Sequence, residues 1–163
     1  MAATDLIPRW IEALRSGDYE QAEGRLMKGS GSGKPGDETM AFCCLGVLCD
    51  IIEIGGWEYD DEEDEHRYAV DHSSSFELLP DYVQDRTGLS PSGGFNVPVR
   101  QVEVDGVVSF TSKQPGTYDY EQWRDAPLMD SLVEMNDDGA SFKQIADLLD
   151  SEFDAIFEPT HRP

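Results

Sequence analysis

Three thiols crowd one short stretch, Phe42–Asp50, with the sequence FCCLGVLCD. Thiolates bind soft metals and attack electrophiles, so their spacing decides what chemistry they could do. A zinc site needs ligands that converge on one point, with Cys-x2-4-Cys spacing and a partner Cys or His pair. Here the pattern is Cys43-Cys44-x4-Cys49. At helical spacing Cys43 lines up with Val47 and Asp50, Cys44 with Leu48 and Ile51, and Cys49 with Leu45 and Ile52, so the thiols point three ways. A nucleophilic cysteine needs a base in reach and an electropositive niche. Asp50 and Glu53 follow instead, and acids nearby raise a thiol pKa. The histidines are His66 and His72, both in an acidic stretch, and His161 near the C-terminus. Free cysteine otherwise behaves as a small buried hydrophobe. The expectation is interior packing, with no catalytic residue, no metal and no cofactor.

Other segments imitate known sites and fail on particular positions. Lys28–Glu38, KGSGSGKPGDE, suggests a phosphate loop, but Lys28 stands where the first glycine belongs and Pro35 where the Mg-binding hydroxyl belongs. EMNDDGASFKQI suggests a calcium loop, but its twelfth position is Ile145 where a bidentate Glu is required. Residues 128–150 outline a helix-turn-helix. Its second helix carries Asp147, Asp150 and Glu152 against Lys143 alone, which is wrong for phosphate contact. Direct nucleic-acid binding is therefore excluded.

The elements that would position these residues read as α+β, mainly helical. Ile7, Trp10, Ile11 and Leu14 recur at helical spacing, with Asp5 as N-cap and Gly17 as stop. About residues 40–54 are apolar nearly all round, which predicts a buried central helix capped by Thr39 and ended by Gly55-Gly56. A short helix is expected near 80–87. One β-hairpin is predicted over about 97–111, because Asp105-Gly106 sits between two valine-rich runs. Leu128, Met129, Leu132, Val133 and Met135 predict a helix, and Ser141-x-x-Gln144 is a capping box for another. The sum is about five helices in a single domain over 1–157. Flexible loops are expected at 28–38 and 59–75, and a frayed tail at 158–163. No apolar run is long enough to span a membrane, and MAATDLIPRW does not read as a secretory signal.

Charge is the strongest global signal. The chain has 163 residues and a net charge of -22. The first 34 residues balance, whereas residues 37–85 carry 15 acids against Arg67 alone. Such a field repels nucleic acid and anionic membranes and attracts basic proteins. The densest cluster is Asp60, Asp61, Glu62, Glu63, Asp64 and Glu65, with Glu58 adjacent. These seven are the candidate partner-binding residues.

The blocks W-x3-LRSG-x-Y-x-Q (Trp10–Gln21), G-x-L (Gly24–Leu26), FCCLGVLCD and ND-x-G-x-SF-x2-IAD (Asn136–Asp147) resemble a family of small, mostly uncharacterised bacteriophage accessory proteins. LPDYVQDRTGL resembles the middle block of that family. The resemblance covers about half the chain and carries no catalytic residue. It implies a host-cell cytoplasmic setting and an accessory role. With the charge, the leading expectation is a non-enzymatic protein that binds a basic host protein through its acidic surface, as a DNA mimic or counter-defence inhibitor. The alternative is a sponge for a small nucleotide-like molecule, using Arg15, Tyr19, Gln21 and Arg25 of the N-terminal block. A small enzyme is the third class considered.

Overall fold

A computed structural model describes residues 3–30 and 39–157. Six helices and nine strands occur among the described residues, in three three-stranded sheets. With 38% helix and 30% strand, the fold is mixed. The expectation of a mainly helical domain with one hairpin is overturned, for reasons that lie in three particular segments.

The first is the apolar run. Its start, β3 (Thr39–Phe42), is a strand between β1 (Glu20–Gln21, parallel) and β2 (Met27–Ser30, antiparallel). Helix α2 covers only Cys44–Ile52, and is shorter than the expected 40–54. Cys43, not Thr39, is its N-cap, in extended backbone with its Sγ accepting from Gly46 N at 3.3 Å. Glu53, at φ 54°, ends it before the glycine pair. A short apolar run does not announce by periodicity whether it is strand or helix.

The second is the acidic segment. Strands β4 (Gly56–Asp60), β5 (Glu65–Val70) and β6 (Ser73–Ser75) form an antiparallel sheet across most of the stretch expected as a loop at 59–75. The acids hid a period-two pattern of large residues. Trp57 pairs with Tyr68, their rings 5.0 Å apart, and Tyr68 and Val70 are buried. At 28–38, residues 28–30 belong to β2, and the remainder lies outside the described residues, as does the expected tail.

The third is the segment expected as a helix from Leu128. Residues Leu128–Ser131 are a strand, β9, on one edge of the third sheet. That sheet centres on β7 (Gly94–Val104), which pairs with β8 (Val107–Thr111) through the Asp105-Gly106 turn, both turn residues having positive φ. Ser131 then caps the short helix α5 (Leu132–Asp137), accepting from Glu134 N.

The core gathers around α2, whose residues Cys44–Cys49 are all buried. Helix α1 (Ala3–Ser16) packs on α2 and along α6 (Phe142–Ile156), and α6 also covers one face of the β7–β8 ladder. Helix α3 (Asp81–Thr87) adds Val83 to the core. Helix α4 (Tyr120–Asp125) carries Trp123, which lies under the Arg100 guanidinium at 5.8 Å. No helix among the described residues is long and apolar enough to cross a membrane.

Candidate functional site

The motif blocks meet in the interior, and one side chain ties them. Asn136, at the end of α5, is fully buried. Its Oδ1 accepts from Cys44 N (3.2 Å) and Gln21 Nε2 (3.0 Å), and its Nδ2 donates to Ala22 O (2.7 Å). Gln21 in turn donates to Ala140 O and accepts from Phe142 N. Trp10 Nε1 donates to Cys44 O at 2.9 Å. Buried polar groups must be paired, and here each pairing joins a different block. These residues shape a knot rather than a reaction centre.

The three thiols belong to the same interior. Burial raises the Cys43 pKa to about 11 and drives Cys44 and Cys49 well above the ordinary thiol value. Cys44 Sγ donates to Leu132 O at 3.6 Å. No base is hydrogen-bonded to any of them among the described residues, and no group of three or more potential metal ligands occurs there.

The four residues of the sponge reading are not brought together. Arg15 pairs with Asp147 (2.7 Å) and Asp150 (3.0 Å) on α6. Burial pushes the Asp147 carboxyl up, but hydrogen bonds from Lys143 and Arg15 outweigh it and hold the group below its ordinary value. Tyr19 donates to Asp50 Oδ2 at 2.7 Å, and Trp57 Nε1 holds the other oxygen at 3.0 Å. Burial, helped by Asp50, raises the Tyr19 pKa. Gln21 serves the Asn136 knot. Arg25 Nε pairs with Glu65 at 2.8 Å, and its Nη1 pairs with Glu77.

The seven partner-binding candidates do come together, at the β4–β5 hairpin. Asp61–Asp64 form its turn. Asp60 Oδ1 accepts from the backbone N–H of Glu62 (3.0 Å) and Glu63 (3.2 Å), which closes the turn, and Asp64 takes the left-handed φ of 55° that the turn requires. Tyr59 donates to Asp64, and its ring lies 5.1 Å from His66. Arg67 spans Glu58 (3.3 Å) and Asp60 (3.1 Å) across the ladder. Glu58, Asp60 and Glu65 are thus part-neutralised. Asp61, Glu62 and Glu63 are exposed at the tip, with no ion pair among the described residues.

The structure adds a feature that the sequence did not reveal, a cleft of about 310 Å³ lined by Arg25, which pairs with Glu65 beside the hairpin turn. Arg25, Glu77, Leu78, Val133 and Asp137 line it, and Cys43 forms part of its wall. Arg25 is the sole sponge candidate there. Nothing local in the sequence marks Glu77, Leu78 and Asp137 as neighbours. Only the tertiary fold brings them together.

Residues 3–153 match the family model described as a domain of unknown function (DUF8296). No curated protein and no solved structure matches the chain.

Proposed function

The chain belongs to the DUF8296 domain family, and from that premise we propose that it is a binding protein that engages a basic host protein through its acidic surface. The observation that carries this reading is the hairpin tip, where Asp61, Glu62 and Glu63 stand exposed on an ordered turn while their neighbours are locked by Arg67 and Arg25. Ordering such a row costs electrostatic repulsion, and solubility alone does not call for it. A net charge of -22 steers a basic partner and accelerates encounter. A close-set row of carboxylates also competes for a groove that holds DNA phosphates. In this reading the protein is a bacteriophage accessory factor of the host cytoplasm, acting as a DNA mimic or counter-defence inhibitor. The sponge alternative gains no support from the placement of Arg15, Tyr19, Gln21 and Arg25.

The test is displacement. A basic, DNA-binding host protein is loaded on a fluorescent duplex and titrated with this chain. Release of the duplex is expected at low salt and should weaken steeply between about 50 and 200 mM salt. Failure to release the duplex from any member of a panel of such proteins at the lowest salt would remove the DNA-mimic form of the proposal. Failure to bind any of them directly would remove the acidic-surface reading itself.

A further inference from the structure

The cleft beside the hairpin has the size, walls and charge of a receptor for one side chain. Its 310 Å³ lies at the lower end of the roughly 300–1,000 Å³ that small-molecule sites span. That is room for a single long side chain. One wall is apolar. Leu78 is 40% exposed and Val133 is half-buried. Facing these are charged groups. Arg25 is already met by two carboxylates, Glu65 and Glu77. Both hydrogen bonds to Asp137, from Gly24 N at 2.9 Å and Asn136 Nδ2 at 3.3 Å, fall on Oδ1. Its Oδ2 has no partner among the described residues. The cleft therefore retains negative charge after Arg25 is counted.

It is also continuous with the acidic hairpin. Glu65 ends the acidic run, and through Arg25 it is tied to Glu77 on the cleft rim. A partner drawn in by the tip arrives next to the cleft.

We propose that the cleft receives an arginine of the basic partner, its aliphatic stem lying along Leu78 and Val133 and its guanidinium meeting Glu77 and Asp137. This rests on the acidic-surface reading above and adds an anchor to it. Arginine fits better than lysine. Its fork presents several donors to two separate carboxylates, and it is more weakly hydrated than an ammonium. Long cationic side chains readily lay their stems on exposed apolar surface. The division of labour follows from general interface physics, in which rim charges speed arrival and a central pocket holds the anchor.

The experiment uses the full chain and two blocked peptides of equal charge, hexa-arginine and hexa-lysine, at low salt. Amide chemical shifts report where they bind, and a calorimetric titration reports how tightly. Three variants are compared with the native chain: Leu78→Lys, Glu77→Gln, and the tip triple Asp61→Asn/Glu62→Gln/Glu63→Gln. Both cleft substitutions fall on exposed residues, and circular dichroism checks their fold. The expected result is shifts at Gly24, Arg25, Leu78 and Asp137, tighter binding of the arginine peptide, and a loss of roughly tenfold in Leu78→Lys that removes the arginine preference. Glu77→Gln should weaken the arginine peptide in the same direction. Shifts confined to the tip, with Leu78→Lys binding as the native chain does, would overturn the cleft and leave the acidic surface standing. Equal affinity for both peptides in the native chain would overturn it as well. If the tip triple also binds both peptides undiminished, the acidic-surface reading fails with it.

Discussion

Replacing Asn136 by alanine probes the interior knot directly, and its cost can be worked from the hydrogen bonds. The substitution takes the acceptor from Cys44 N and the donor from Ala22 O. Gln21 loses one contact but keeps Ala140 O. Two backbone groups are therefore stranded, Cys44 being fully buried and Ala22 nearly so. Each stranded group costs about 1–3 kcal/mol, and the missing amide leaves a small void. The expected loss is about 3–5 kcal/mol, a large share of the roughly 5–15 kcal/mol that holds a domain together. Urea unfolding followed by tryptophan fluorescence measures it, since Trp10 is buried against Cys44. The midpoint should fall with little change in slope. A companion Gln21→Ala, combined in a double-mutant cycle, should show coupling, because the two side chains share a bond. A loss under about 1 kcal/mol with no coupling would refute the claim that the motif blocks are held by this side chain.

Four further outcomes follow from the same structure. Gly46→Ala places a methyl on the Leu26 carbonyl oxygen, a backbone group with no room to yield; the variant should be recovered unfolded or lose upward of about 4 kcal/mol by thermal melt. The buried thiols should resist alkylation at neutral pH in the native chain, and all three should react in urea. Burial holds the folded Cys43 pKa at about 11, above the unfolded value, so the folded state binds more protons above the unfolded pKa. Stability is then whole below about pH 8.5 and declines as pH rises toward the folded value; stability flat across that range would contradict neutral buried thiols. Neutralising the tip with Asp61→Asn/Glu62→Gln/Glu63→Gln removes only exposed charges, so the melting midpoint should stay level or rise, within about 0.5 kcal/mol.

The parts of this fold that declared themselves in sequence are those with local chemistry. The Asp105-Gly106 turn needs two residues that tolerate positive φ, and the Ser141–Gln144 pair caps α6 reciprocally. The strands that went unread depend on distant partners. Thr39–Phe42 extends because β1 and β2 flank it, and nothing within those four residues says so. The acidic run looked solvated because charge masked the alternation of Trp57, Tyr68 and Val70 on either side of it. The same holds for the site. A row of six acids is visible in one line of sequence, whereas the cleft joins Arg25, Glu77 and Asp137 from segments far apart along the chain. The N-terminal arginines invited an anion-binding reading because their acidic partners, Asp147 and Asp150 for Arg15 and Glu65 and Glu77 for Arg25, are remote.

Affinity for a basic DNA-binding protein as a function of salt, measured side by side for the native chain and the tip triple, probes the acidic hairpin most directly. The account predicts tight binding at low salt, a steep salt slope, and both a weaker affinity and a shallower slope once Asp61, Glu62 and Glu63 are neutral. Identical affinity and slope for the two proteins would contradict it.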